Sequence, residues 1–137
     1  MPLYIFYALL SALFASLVPI FGKLGLRDVD STVATTVRAF IMFLFLFLIF
    51  MWQGKTISGF DSRALTFITL SGLAGALSWL FYFMAVKNGR VQAVVAIDKT
   101  SVALAILLSW LVLRESMDWK TALGAVLIVL GALLVSL

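Results

Sequence analysis

Five apolar stretches, at about 3–21, 32–52, 64–86, 91–113 and 119–137, are separated only by short polar loops. Each is about as long as the roughly 20 helical residues needed to cross a hydrocarbon core about 30 Å thick. Inside such a core every backbone N–H and C=O must find its partner within the segment, so a lone apolar run of this length is a helix. The pattern therefore predicts an all-α membrane protein with five transmembrane helices and its termini on opposite sides. Composition agrees, since 64% of residues are hydrophobic and 12% charged, where a soluble domain is about half apolar and a quarter charged. The first run has no basic residue before it and is too long for the apolar part of a signal peptide, so it reads as a retained helix. No polar stretch is long enough for a soluble domain, and residues 1–137 read as a single transmembrane domain.

Several function classes fall away at once. His and Cys are absent, which removes zinc sites, thiol chemistry and His-based triads. No nucleophile–base or metal constellation is present, so an enzyme is not expected, nor a cofactor or a metal. There is no Gly-rich loop ending in Lys-Ser/Thr to hold ATP. The net charge of +4 comes from basic residues scattered one or two to a loop. That spacing suits anionic lipid headgroups and does not suit nucleic acid. The expected location is the cell (inner) membrane, crossed several times.

Ionisable residues within the runs are the candidates for function. Asp98 and Lys99 interrupt the fourth run, Val91 to Leu113. Each ionised group at mid-bilayer costs roughly 2.5–3.5 kcal/mol on insertion scales, so such residues mark substrate or ion paths by default. Neighbours on a helix point about 100° apart, so Asp98 and Lys99 are not expected to face each other. Asp98 is expected to pair with Arg38, or with Lys23 or Lys99 of either subunit. Arg38 lies roughly 9 Å into the second run and Asp98 at a similar roughly 9–11 Å into the fourth, from the same side. Arg38 reads either as a site residue or as an arginine snorkelling back to the headgroups. In the third run Trp79 and Phe83 are four apart on one face, with Tyr82 beside them. Trp79 is too deep for an interfacial belt and reads as cavity lining or core packing.

Local signals add detail. Pro19 should bend the last turn of the first helix. Asp30 or Ser31 reads as the N-cap of the second, and Gly89 as a C-cap between the third and fourth. Ser71, Gly72, Gly75 and Ser78 in the third run, and Gly124 and Gly131 in the fifth, are small-residue positions. Those of the third run let helices approach closely, and Gly124 with Gly131 reads as a helix–helix or subunit interface, or as close packing within one chain.

The loops are even in charge. The side holding the N-terminus, side A, carries Lys55, Arg63, Arg114 and Lys120, and side B carries Lys23, Arg27, Lys87 and Arg90. Lys/Arg asymmetry normally sets orientation, and its absence points to insertion both ways and an antiparallel homodimer. Against that, Trp52, Trp110, Trp119, Tyr4 and Tyr7 gather towards side A and distinguish the two faces.

Ser78-Trp79, Tyr82-Phe83, Ala85, Gly89, Arg114-Glu115, Gly124, Leu127-Ile128 and Gly131 together resemble an EamA-type module of the drug/metabolite transporter superfamily. The likeness covers nearly the whole chain and is closest to the short, single-module, five-helix members. Gly22-Lys23 and Ile97-Asp98-Lys99 resemble that subgroup in particular. Longer members carry two modules of opposite orientation, commonly with a proline near the place of Asp98-Lys99 and Gly-Glu in place of Arg114-Glu115. The resemblance implies one half of an inverted-repeat transporter fold, two modules enclosing a central cavity. The expected function is a secondary transporter of a small polar or anionic metabolite, with Lys23, Arg38, Trp79, Tyr82, Asp98 and Lys99 as substrate-binding candidates. Arg38, Asp98 and Lys99 sum to one positive charge, which favours a carboxylate-bearing or zwitterionic solute. Two alternatives stand beside it. A small-multidrug-resistance-like proton/drug exchanger depends on a first-helix carboxylate, yet the first 27 residues hold no Asp or Glu. A non-transporting membrane subunit or lipid-handling partner would tolerate neutralisation of its intramembrane charges.

Overall fold

The computed structural model describes residues 2–137, and among them all regular structure is helical. The elements are α1 (Leu3–Gly25), α2 (Ser31–Trp52), α3 (Ser62–Asn88), α4 (Val91–Asp98), α5 (Thr100–Val112) and α6 (Trp119–Ser136). With α4 and α5 counted as one span, Val91–Val112, five helices are long and apolar enough to cross a membrane. The chain is an all-α membrane protein.

Aspartates start three of the spans. Asp30 Oδ1 accepts from the amides of Thr32 at 2.8 Å and Val33 at 3.2 Å. Asp61 Oδ1 accepts from Ala64 N at 2.7 Å, and Asp118 Oδ1 from Thr121 N at 2.9 Å and from the Thr121 hydroxyl. Each satisfies amides that the first helical turn leaves unpartnered. Of the two residues read as N-cap for α2, Asp30 is the one that caps. The Val33 amide, then that of Thr32, holds the Asp30 carboxyl below the ordinary aspartate range. The Thr121 hydroxyl, then its amide, does the same for Asp118. α1 continues through Pro19 to Gly25, past its expected end at Phe21.

α5 closes differently. Arg114 has φ +55°, in the left-handed region, and the Glu115 amide returns to the Ser109 carbonyl at 3.3 Å. A Cβ in that region costs about 1 kcal/mol or more, which glycine avoids.

The chain divides into two compact units, one comprising residues up to Lys23 with Asn88–Leu137, the other Leu24–Lys87. In the first, α4, α5 and α6 pack on one another. Lys23 Nζ donates to the Gly89 carbonyl at 3.0 Å, and Arg90 Nη2 to the Ser136 carbonyl at 3.3 Å. In the second, Lys87 Nζ donates to the Val29 carbonyl at 2.7 Å, and Leu26, Phe83 and Val86 are buried. Most other large apolar side chains are exposed, from Phe43 and Phe45 on α2 to Leu134 on α6. In a membrane protein these are the surfaces that lipid or another subunit covers. A Cβ added at Gly72, Gly75, Gly124 or Gly131 would meet nothing within 4 Å. Among the described residues of its own unit, nothing approaches any of these glycines closely enough to need the missing side chain.

Candidate functional site

The fourth span is interrupted at the residues that its composition singles out. Lys99 has φ −69° and ψ −10°, and lies between the two helical segments. Its amide reaches the carbonyls of Ala96 at 3.1 Å and Val95 at 3.3 Å, while Val102 N turns to the Lys99 carbonyl at 3.0 Å. Bonds to the third residue back are those of a 3₁₀ turn, and such a turn within a helix often marks a hinge. The Thr100 hydroxyl ties back to the Ile97 carbonyl at 2.7 Å and supports the turn.

The break overturns one expectation. Asp98 and Lys99 do not look away from each other, since Lys99 Nζ lies 3.1 Å from Asp98 Oδ2. The long, flexible lysine stem spans the roughly 100° that separates neighbours on a helix and brings its head back to the carboxylate. Of the three partners expected for Asp98, the structure places Lys99 against it. The two side chains are 34% and 57% exposed, so the pair is open to whatever fills the adjoining space.

The second cluster belongs to α2 and α3. Arg38 is half-buried, and its guanidinium carbon stands 3.7 Å from the centre of the Trp79 ring and 5.4 Å from that of Phe83. Both distances lie within the range of cation–π attraction. Trp79 meets Tyr82 edge-on, with centroids 5.4 Å apart and planes at 80°, and is tilted against Phe83 at 5.6 Å. Phe83 is 3% exposed and anchors the group. Residues 79, 82 and 83 share one face of α3 by the three- and four-residue helical spacing, so local sequence already assembles the platform. That Arg38 lies on it joins two helices and has no local signal.

The structure thus brings Arg38, Trp79 and Tyr82 together in one unit, and Asp98 and Lys99 in the other. It ties Lys23 to the turn between α3 and α4, a contact that sequence reasoning missed because the acceptor is a backbone carbonyl. An apolar cleft of about 450 Å³ lies among Phe43, Phe47, Phe50, Ile57 and Phe60, towards side A, and holds none of these residues. No group of His, Cys, Asp or Glu among the described residues is suited to a metal.

The sequence model of the EamA-like transporter family matches residues 2–137. The chain belongs to that family. A similar protein from a Sinorhizobium species, described as an uncharacterized transporter in the cobO 3′ region, is 36% identical over 135 residues, covering 96% of this chain and 94% of its own. An uncharacterized protein from Methanocaldococcus jannaschii is 29% identical over 97 residues, covering 71% of each chain. No solved structure matches. The EamA module covers both the interrupted fourth span and the Arg38 cluster, and membership points to a transporter and away from an enzyme.

Proposed function

We propose that this EamA-family chain is a secondary transporter of a small polar or anionic solute, working as an antiparallel homodimer in the cell membrane. The observation that carries the reading is the break of the fourth span at Asp98-Lys99. Transporters commonly place substrate and coupling-ion sites near mid-membrane at interrupted helices, where unwound backbone and helix ends supply polar groups. An ion pair at such a break gives a solute or proton something to displace. The Sinorhizobium relative, described as an uncharacterized transporter, supports the same reading.

Two observations favour the antiparallel pairing. Loop charge is even between the two sides. The glycines of α3 and α6 are open to a partner's backbone. Replacing Gly131 with Leu should leave the chain folded, because nothing lies within 4 Å of the new Cβ, yet should reduce self-association in detergent or bilayer. An unaffected dimer would show that α6 is not the contact. C-terminal reporters active on opposite sides of the membrane should both give signal.

The function itself is tested by uptake and efflux with purified protein in liposomes. Alanine, succinate and tetraethylammonium serve as probes, with and without a pH gradient. Movement of alanine or succinate is expected. Movement of the cation alone, driven by protons, would replace this reading with a drug exchanger, and movement of none would count against transport of these classes.

A further inference from the structure

We propose that Arg38, its guanidinium carbon 3.7 Å from the centre of the Trp79 ring, is an oxyanion receptor and that it selects solutes bearing a carboxylate. The inference rests on the transporter reading for its place in a transport site, and on the geometry of α2 and α3 for its chemistry.

Charge comes first. Asp98 and Lys99 neutralise each other across 3.1 Å. Among the described residues of its own unit Arg38 has no carboxylate partner and no hydrogen bond, and it meets Tyr82 and the faces of Trp79 and Phe83. A ring face attracts a cation but accepts none of its N–H bonds in the guanidinium plane. Its five N–H donors are therefore not taken up by a described acceptor of that unit. An ionised group within a span that lacks both counter-charge and acceptors is incomplete as it stands.

Geometry then selects the missing partner. A guanidinium stacked by its face offers its edge, and that edge is a rigid fork matching the two oxygens of a carboxylate. The stack also fixes the fork before a ligand arrives, because Trp79 is itself held by Tyr82 edge-on and by buried Phe83. Charge matching favours a carboxylate over inorganic phosphate, which carries more than one negative charge near neutral pH and would leave an excess in an apolar setting.

Depth argues against a lipid headgroup. By helical rise Arg38 lies about 10 Å from the start of α2, and Trp79 about 14 Å from the end of α3 on the same side. A snorkelling arginine would extend its head towards that surface. Here the head lies over a ring rooted deeper than its own Cα.

The test uses the full-length protein with Trp52, Trp110 and Trp119 replaced by Phe, so that emission reports Trp79 alone. Lactate and lactamide share a body and differ in the carboxylate. In lipid-free detergent, lactate should shift the emission saturably and lactamide should bind at least about tenfold more weakly. Arg38→Lys keeps the charge and loses the fork, and should weaken lactate by about tenfold while leaving the weak lactamide response unchanged. Equal responses to lactate and lactamide would overturn the proposal without any substitution at Arg38. So would a response to phosphatidylglycerol in nanodiscs with none to lactate, which would make Arg38 a headgroup contact. Liposome flux separates the two readings. A lactate-specific signal without flux of any probe leaves the receptor standing and removes the transporter. Flux of carboxylates that ignores Arg38→Lys removes the receptor and leaves the transporter.

Discussion

Asp98 with Lys99 in the fourth span, and Arg38 in the second, meet one difficulty by different means. Each places an ionised group in an apolar segment. The first site uses a counter-charge supplied by the next residue, at a turn that interrupts the helix. The second uses aromatic faces from another helix and leaves the helix that carries it unbroken. A counter-charge satisfies both partners and can be displaced as a unit. An aromatic face steadies a cation without satisfying its N–H groups, so the cation can still take an anion. The pair is suited to switching and the stacked arginine to recognition.

That contrast is sharpest for Asp98→Asn. Lys99 would lose its one ionic partner, and an unpaired lysine at this depth costs roughly 2.5–3.5 kcal/mol on insertion scales. The expected result is complete loss of coupled uptake and a lower melting temperature, with insertion retained. Retained coupled uptake would break the comparison on the switching side.

A smaller effect follows from Trp79→Ala. The stack is worth about 0.5–2 kcal/mol, and its loss should raise the calorimetric Kd for lactate by roughly that free energy. The alanine flux at saturating concentration should change less than its half-saturation value. A fall in maximal flux with unchanged binding would assign Trp79 to the moving parts.

Smaller again is Arg114→Gly, which relieves the φ of +55° at the end of α5. It should stabilise the protein by about 1 kcal/mol, less the entropy that glycine adds to the unfolded chain. Thermal unfolding in detergent reads this, and a loss of stability would mean that the Arg114 side chain holds something of its own.

The least change is expected from the helix caps. Asp30 and Asp118 have folded-state pKa values below the ordinary one. Their contribution is complete above the unfolded value and is lost as pH falls through the folded value, so softening should begin below about pH 4. Asp30→Asn with Asp118→Asn keeps both caps and removes two titrating groups. The acid limb of the melting curve should become shallower, while stability near neutral pH stays close to wild type.

Much of the architecture was legible in the sequence because it follows from length and polarity. Five runs matched to a bilayer became five spans, and Asp30 before Ser31 became a cap. The family resemblance carried by residues from Ser78 to Gly131 agrees with the match over residues 2–137. The site was legible as residue types and not as geometry. Periodicity treats 91–113 as one helix because every residue but Asp98 and Lys99 suits it. The break depends on carbonyls changing partners and on the Thr100 hydroxyl, which no pattern of polarity encodes. Arg38 on Trp79 joins residues remote in sequence, and Lys23 finds a backbone carbonyl, an acceptor that every residue carries.

The central claim is that the charges of the fourth span move solute and do not merely hold helices together. Asp98→Asn combined with Lys99→Met removes both charges and leaves neither unpaired. A packing pair should tolerate this, since replacing both partners of an ion pair is often neutral or stabilising. The double variant is expected to insert, keep its melting temperature near that of wild type and show no pH-driven alanine or succinate uptake in liposomes. Wild-type uptake by that variant would contradict it.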